Sequence, residues 1–203
     1  CHPRKGSSLE GVDRRFLNSQ VDPAPFTLLG RTLYPWCLKY RVRLHAFDSP
    51  LVTGERGVTP ADLLFACQVC AEEPLGKVGI IDRLRLSRLN ENPARFELLL
   101  KAFGGYILVD DWPKFWEQDQ KKSGGSKGVP WPMSVVANLV ANGVPYKQAW
   151  EMPECQAIWL NAAFAMRKGV DVAIMSPEEE AFMAEEEAKD AAATASNPAK
   201  ETP

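Results

Sequence analysis

Apolar positions along this chain recur in helical steps more often than in alternation. The densest run lies between Pro130 and Ser176. There Cys155, Ile158, Trp159, Ala162 and Met166 follow one another at intervals of three and four, which predicts one buried helical stripe. Leu160 and Phe164 fall on a different face, so this helix is apolar on more than one side and packs centrally or against a partner. Pro153 and Glu154 suit its start, while Arg167, Lys168 and Gly169 suit its end. A shorter stripe of Val136, Leu139 and Val140 precedes it and ends at Asn142-Gly143, and Pro145 restarts a turn through Trp150. The pattern predicts a helix–turn–helix core hairpin. A DNA-reading version fits poorly, because the second helix offers only Gln156 and Asn161 before its basic end.

Upstream, a helix is expected from Thr32 to Phe47, with Pro35 in its first turn and a stop at Asp48-Ser49-Pro50. Thr59-Pro60-Ala61-Asp62 is a helix start with its own cap, and the helix DLLFACQVCAEE that follows is apolar on most sides. From Val78 to Leu89, Ile81 and Leu84 are expected inward and Arg83, Arg85 and Arg88 outward. Asn92-Pro93 opens another helix whose Phe96, Leu99, Leu100 and Phe103 share a face, with Gly104-Gly105 as its stop. Tyr106 to Val109 is strand-like in composition but has no obvious pairing strand, so it is expected short and helical or extended on the core. Asp111 reads as a cap for a turn carrying Phe115 and Trp116. Ser176-Pro177-Glu178-Glu179 is a capping box for a mostly solvated acidic helix.

The resulting fold class is all-α: a compact bundle of six to eight helices with no substantial sheet. Residues 1–26 are read as a flexible arm and 27–175 as one helical domain interrupted by a Gly/Ser linker near 121–129. Residues 176–203 are read as an acidic helix with a disordered ending from Ala191. The segment from Trp150 to Met166 is expected to lie across the DLLFACQVCAEE helix, making one core from both sides of the linker.

Charge adds an asymmetry. The chain has 203 residues and a net charge of −2, but residues 176–203 hold eight acidic and two basic side chains, so the remainder is mildly basic. No apolar run is long enough to span a membrane. The chain opens Cys1-His2-Pro3-Arg4-Lys5 without a signal-like segment, and a trimmed start is expected. Five cysteines at irregular spacings suggest free thiols in a reducing, cytoplasmic setting.

No motif carries an obvious reaction. Cys67 and Cys70 form a CxxC, yet zinc would need two more ligands and only Cys37 and His45 are on offer, so buried thiols are expected and no metal or cofactor. Asp110, Asp111, Glu117 and Asp119 form the best carboxylate cluster. A hydrolase could use two of them beside Trp112 and Trp116, although capping explains the same residues. Arg83, Arg85, Arg88 and Arg95 form a basic patch, the alternative being phosphate or nucleic-acid binding, as in a DNA-packaging accessory protein. No phosphate loop, nucleophile elbow, zinc-protease motif or dinucleotide fingerprint is present.

Three stretches together carry a resemblance: LGRTLYPWCLKYRVRLHAFDSPL; TPADLLFACQVCA with FGGYILVDDWPKFW; and YKQAWEMPECQAIWLNAAFAMRKGVD. In this combination, over roughly residues 28–175, the chain resembles small helical proteins of phage and prophage tail-morphogenesis regions, some of them tail assembly chaperones. The resemblance implies a non-enzymatic assembly factor that binds another virion protein, such as a tape-measure protein, inside a bacterial host cell, with retention in the virion left open. It transfers no catalytic residues. Trp150, Trp159, Leu160 and Phe164 are the side chains expected to meet a partner, self-association is a second partner class, and neither membrane nor nucleic acid is expected.

Overall fold

A computed structural model describes residues 14–21, 23–108, 112–115, 129–170 and 172–195. Among them are ten helices and a single two-stranded hairpin, so the chain is mostly helical, as its periodicity predicts. No helix is long and apolar enough to cross a membrane.

The hairpin is the first departure from expectation. Strands β1 (Phe26–Leu28) and β2 (Arg31–Leu33) pair antiparallel with Phe26 opposite Leu33. Strand β2 occupies the beginning of the helix expected from Thr32, and helix α2 runs only from Leu38 to Ala46. Pro35 accounts for the delay, because it excludes Tyr34 from the helical region. The Tyr34 N–H instead donates to the Cys70 carbonyl at 3.0 Å, tying this stretch to the end of the central helix.

Helix α3 is the single turn Pro50–Thr53, and α4, Pro60–Cys70, is the centre of the first core. Its start is as expected. The Thr59 hydroxyl accepts from the Asp62 N–H, and Asp62 accepts in return from the Thr59 N–H at 2.9 Å. Arg56, and next the Thr59 contacts, hold the Asp62 carboxyl down at about 2, from an ordinary 3.8. Thr59→Ala should cost about 1 kcal/mol in urea unfolding. Because the folded carboxyl titrates below its unfolded value, the Asp62 share of the cap is present above pH 3.8 and lost as pH falls through about 2.

Helices α5 (Ile80–Glu91) and α6 (Pro93–Ile107) form a hairpin hinged at Asn92, whose side chain accepts from the Arg95 N–H at 3.0 Å. Here α5 contradicts the expected facing. Ile81 and Leu84 are exposed, while Asp82 and Leu89 are buried. The cause is a buried ion pair: Asp82 receives Nη2 of Arg31, itself buried on β2, on both oxygens at 2.9 Å. Turning α5 to bury its isoleucines would break that pair. Helix α6 also runs through Gly104-Gly105 to Ile107 instead of stopping. Phe103 and Ile107 both bury on the first core, and the Tyr106 ring stacks on Phe26 at 5.1 Å, contacts that outweigh poor glycine propensity.

Beyond the linker come α7 (Trp131–Ala141), α8 (Tyr146–Glu151), α9 (Glu154–Arg167) and α10 (Pro177–Ala195). A second apolar cluster gathers Val135, Val136, Leu139, Ala149, Met152 and Ala157 around Leu38 of α2. Thus α2 serves both clusters, giving Tyr40 and Leu44 to the first and Leu38 to the second. The expected packing of the Trp150–Met166 segment across α4 is not seen. Helix α9 lies mainly on α7 and on α1 (Arg14–Ser19), because α4 is already covered by α2, α3, α5 and β2. Met166, placed in the buried stripe by its spacing, is exposed near the open end of α9.

Part of the expected arm is therefore the helix α1, docked on α9 with Phe16 edge-on to Trp159 at 5.7 Å. Helix α10 extends to Ala195, past the expected fraying point at Ala191. The remaining arm, the linker at 121–128 and residues 196–203 lie outside the described residues.

Candidate functional site

The α5–α6 hairpin presents two unlike surfaces. On α5, Ile80, Ile81 and Leu84 are 79%, 65% and 55% exposed, and Leu98 on α6 is 67% exposed. Positions 80, 81 and 84 share one helix face. An ordinary surface scatters single apolar side chains. Three on one face of one helix, held outward by a buried aspartate behind them, form a built feature.

The second surface is a cleft of about 260 Å³ between this hairpin and the β1–β2 turn. Arg85, Arg88 and Arg95 line it with Leu29, Gly30, Leu89 and Leu99. Three of the four arginines singled out in the sequence thus meet, while Arg83 is exposed and outside the cleft. Arg85 is partly buried and donates to Asp82 at 3.2 Å. It also lies across the turn: a Cβ on Gly30 would stand 2.4 Å from its Nη2.

The four residues expected to meet a partner do not share one surface. Trp159 is 4% exposed, beneath Phe16 and with the Arg15 guanidinium 5.9 Å from its ring. Trp150, Leu160 and Phe164 are partly buried against the second cluster.

Cys37, Cys67 and Cys70 are buried in the first core, with burial pushing the Cys37 thiol up to about 11 and the Cys67 thiol up to about 12. Such thiols remain protonated at neutral pH and behave as small apolar groups. His45 is exposed. Among the described residues no three His, Cys, Asp or Glu side chains are grouped as a metal site. Asp110, Asp111, Glu117 and Asp119, with Trp116, lie outside the described residues.

Two features were missed by sequence reasoning. The first is a cavity of about 420 Å³ under α1, walled by Phe26, Trp36, Tyr106, Trp112 and Pro153 among others. Its aromatic residues come from segments far apart in the chain, so no local pattern announces it. The second is Glu154. Its carboxylate is 1% exposed and accepts from Arg41 Nε at 2.8 and 2.9 Å, while the Arg41 guanidinium lies 5.4 Å from the rings of both Trp36 and Trp131. The Glu154 N–H also donates to the Trp36 carbonyl at 2.8 Å. This knot joins the two sides of the linker. Burial raises the Glu154 carboxyl above its usual range, with Arg41 opposing.

No family model matches the chain, and neither a curated protein nor a solved structure is significantly similar to it.

Proposed function

We propose that this protein is a non-enzymatic assembly factor that holds an apolar segment of a client virion protein, in the manner of the phage tail chaperones its sequence resembles. The observation that carries this reading is the outward face of Ile80, Ile81 and Leu84. Contiguous exposed apolar surface of this kind favours a protein partner. Covering the three side chains is worth on the order of 4 kcal/mol before the costs of association. A client segment with its own apolar stripe, such as a long helical tape-measure protein, suits a helix face of this type.

Co-expression with the neighbouring morphogenesis genes followed by affinity purification tests the reading. The parent chain should bring down a client, and Ile81→Glu/Leu84→Glu should not. Because both side chains already face water, the double variant should keep the parent's unfolding free energy to within about 1 kcal/mol. Equal client recovery with the variant, or recovery of the parent alone at several salt concentrations, would overturn the proposal.

A further inference from the structure

Among the described residues, the arginine cleft carries charge that no carboxylate within 4.0 Å neutralises. Arg31, Glu73, Asp82 and Arg85 form one connected set: Arg31 pairs with Glu73 at 2.8 Å and with Asp82 at 2.9 Å, and Asp82 also meets Arg85. Two cations and two anions balance. Arg88 and Arg95 stand outside that set, and among the described residues neither lies within 4.0 Å of a carboxylate oxygen. Glu91, the acidic residue nearest Arg88 in sequence, accepts instead from the Ser87 hydroxyl at 2.9 Å, and Glu97, the nearest to Arg95, makes no ion pair with it within 4.0 Å. Both free guanidiniums line the same cleft as Arg85, against the apolar side chains of Leu29, Leu89 and Leu99. Arg88 and Arg95 are exposed at the rim, so their like charges repel one another through partly screening solvent. An anion in the cleft removes that repulsion.

We propose that this cleft binds a phosphate-type oxyanion, a role separate from the client-holding face. The two uncompensated charges match a dianion. Guanidinium forks match phosphate oxygens in pairs, and here they arrive from two helices. The β1–β2 turn completes the site: with glycine at position 30, Arg85 can lie across the backbone where a side chain would displace it. The same chemistry is offered by free phosphate and by a nucleic-acid backbone, and the apolar wall has room for more than the bare ion.

Calorimetric titration of the full chain with inorganic phosphate, at ionic strength held constant with chloride, tests the site. The parent should bind saturably. Removing one exposed arginine, R88A or R95A, should weaken binding about tenfold, and removing both should weaken it further. R88K, which keeps charge but loses the fork, should fall between parent and R88A. R83A should bind as the parent does. A short single-stranded oligonucleotide, titrated at two salt concentrations, separates the sources. Salt-dependent binding through Arg88 and Arg95, tighter than that of phosphate, makes the ligand a nucleic-acid backbone. Phosphate binding without it makes the ligand a free anion. Either result upholds the cleft. No response of the parent, an equal loss in R83A, or preference for an acidic peptide with the Glu178–Lys189 sequence overturns it. Ile81 and Leu84 precede Arg85 and Arg88 by one helical turn on α5, so the two tests are separated by R95A on α6, which should lose phosphate and keep the client.

Discussion

Trp159→Ala should lower stability by about 3–5 kcal/mol, the cost of truncating a large buried aromatic. At 4% exposure the side chain loses nearly all of its buried area, and the space left cannot refill from Phe16 alone, whose ring meets the indole only edge-on at 5.7 Å. The loss of the Arg15–indole contact adds to it. For a chain of this size the melting temperature should fall by roughly 6–20 °C. Calorimetric or circular-dichroism melts decide the matter. A variant that melts like the parent but fails to capture a client would place Trp159 on an exchangeable surface, with α1 leaving when the client arrives.

Arg41→Met should be of similar size, about 3–5 kcal/mol, for a different reason. The substitution keeps an apolar stem between Trp36 and Trp131 but strands the Glu154 carboxylate at 1% exposure. Arg41→Met/Glu154→Met should recover most of the loss, because an apolar pair replaces a buried ion pair at little net cost. The pH dependence of the single variant separates charge burial from poor packing. Burial raises the folded Glu154 value above its ordinary 4.5, and without Arg41 the larger part of the opposition to that rise is gone, leaving only the Trp36 contact. A raised carboxyl contributes stability below its unfolded value that disappears as pH climbs through the folded value. The deficit of Arg41→Met should therefore be greatest near pH 7 and smallest near pH 4, measured by urea midpoints at about those two values. A deficit independent of pH would mean that lost packing, and not a stranded charge, is the cause.

The features legible in the sequence are those whose causes are local. Thr59 and Asp62 sit three residues apart and cap each other; Asn92 caps three residues on; Gly143 takes a positive φ just past α7. The hairpin was hidden because its turn is Leu29-Gly30, with both residues at positive φ, where asparagine-glycine is the usual signal. The facing of α5 was hidden because aspartates are counted as outward, and the partner that draws Asp82 inward lies 51 residues earlier. Glu154 looked like an ordinary first-turn carboxylate, and its partner is 113 residues away. The arginine cleft was half legible. Helical spacing grouped its members, but only the tertiary fold separates Arg83 from the other three and supplies the turn that closes the cleft.

Long-range pairing also sets an order on how the molecule comes together. Arg15 donates to the carbonyl of Met175 at 2.6 Å and to the carboxylate of Glu180, so α1 is clasped to the segment entering α10 across sequence separations of 160 and 165. Closing a loop of that length in an unfolded chain costs more entropy than closing the α5–α6 or α7–α9 loops. The clasp forms cheaply only after the two clusters have drawn its halves together. It is expected late in folding and early in unfolding. During synthesis α1 leaves the ribosome before any of its partners exists, and its Phe16 and Arg15 wait uncovered until nearly the whole chain has emerged.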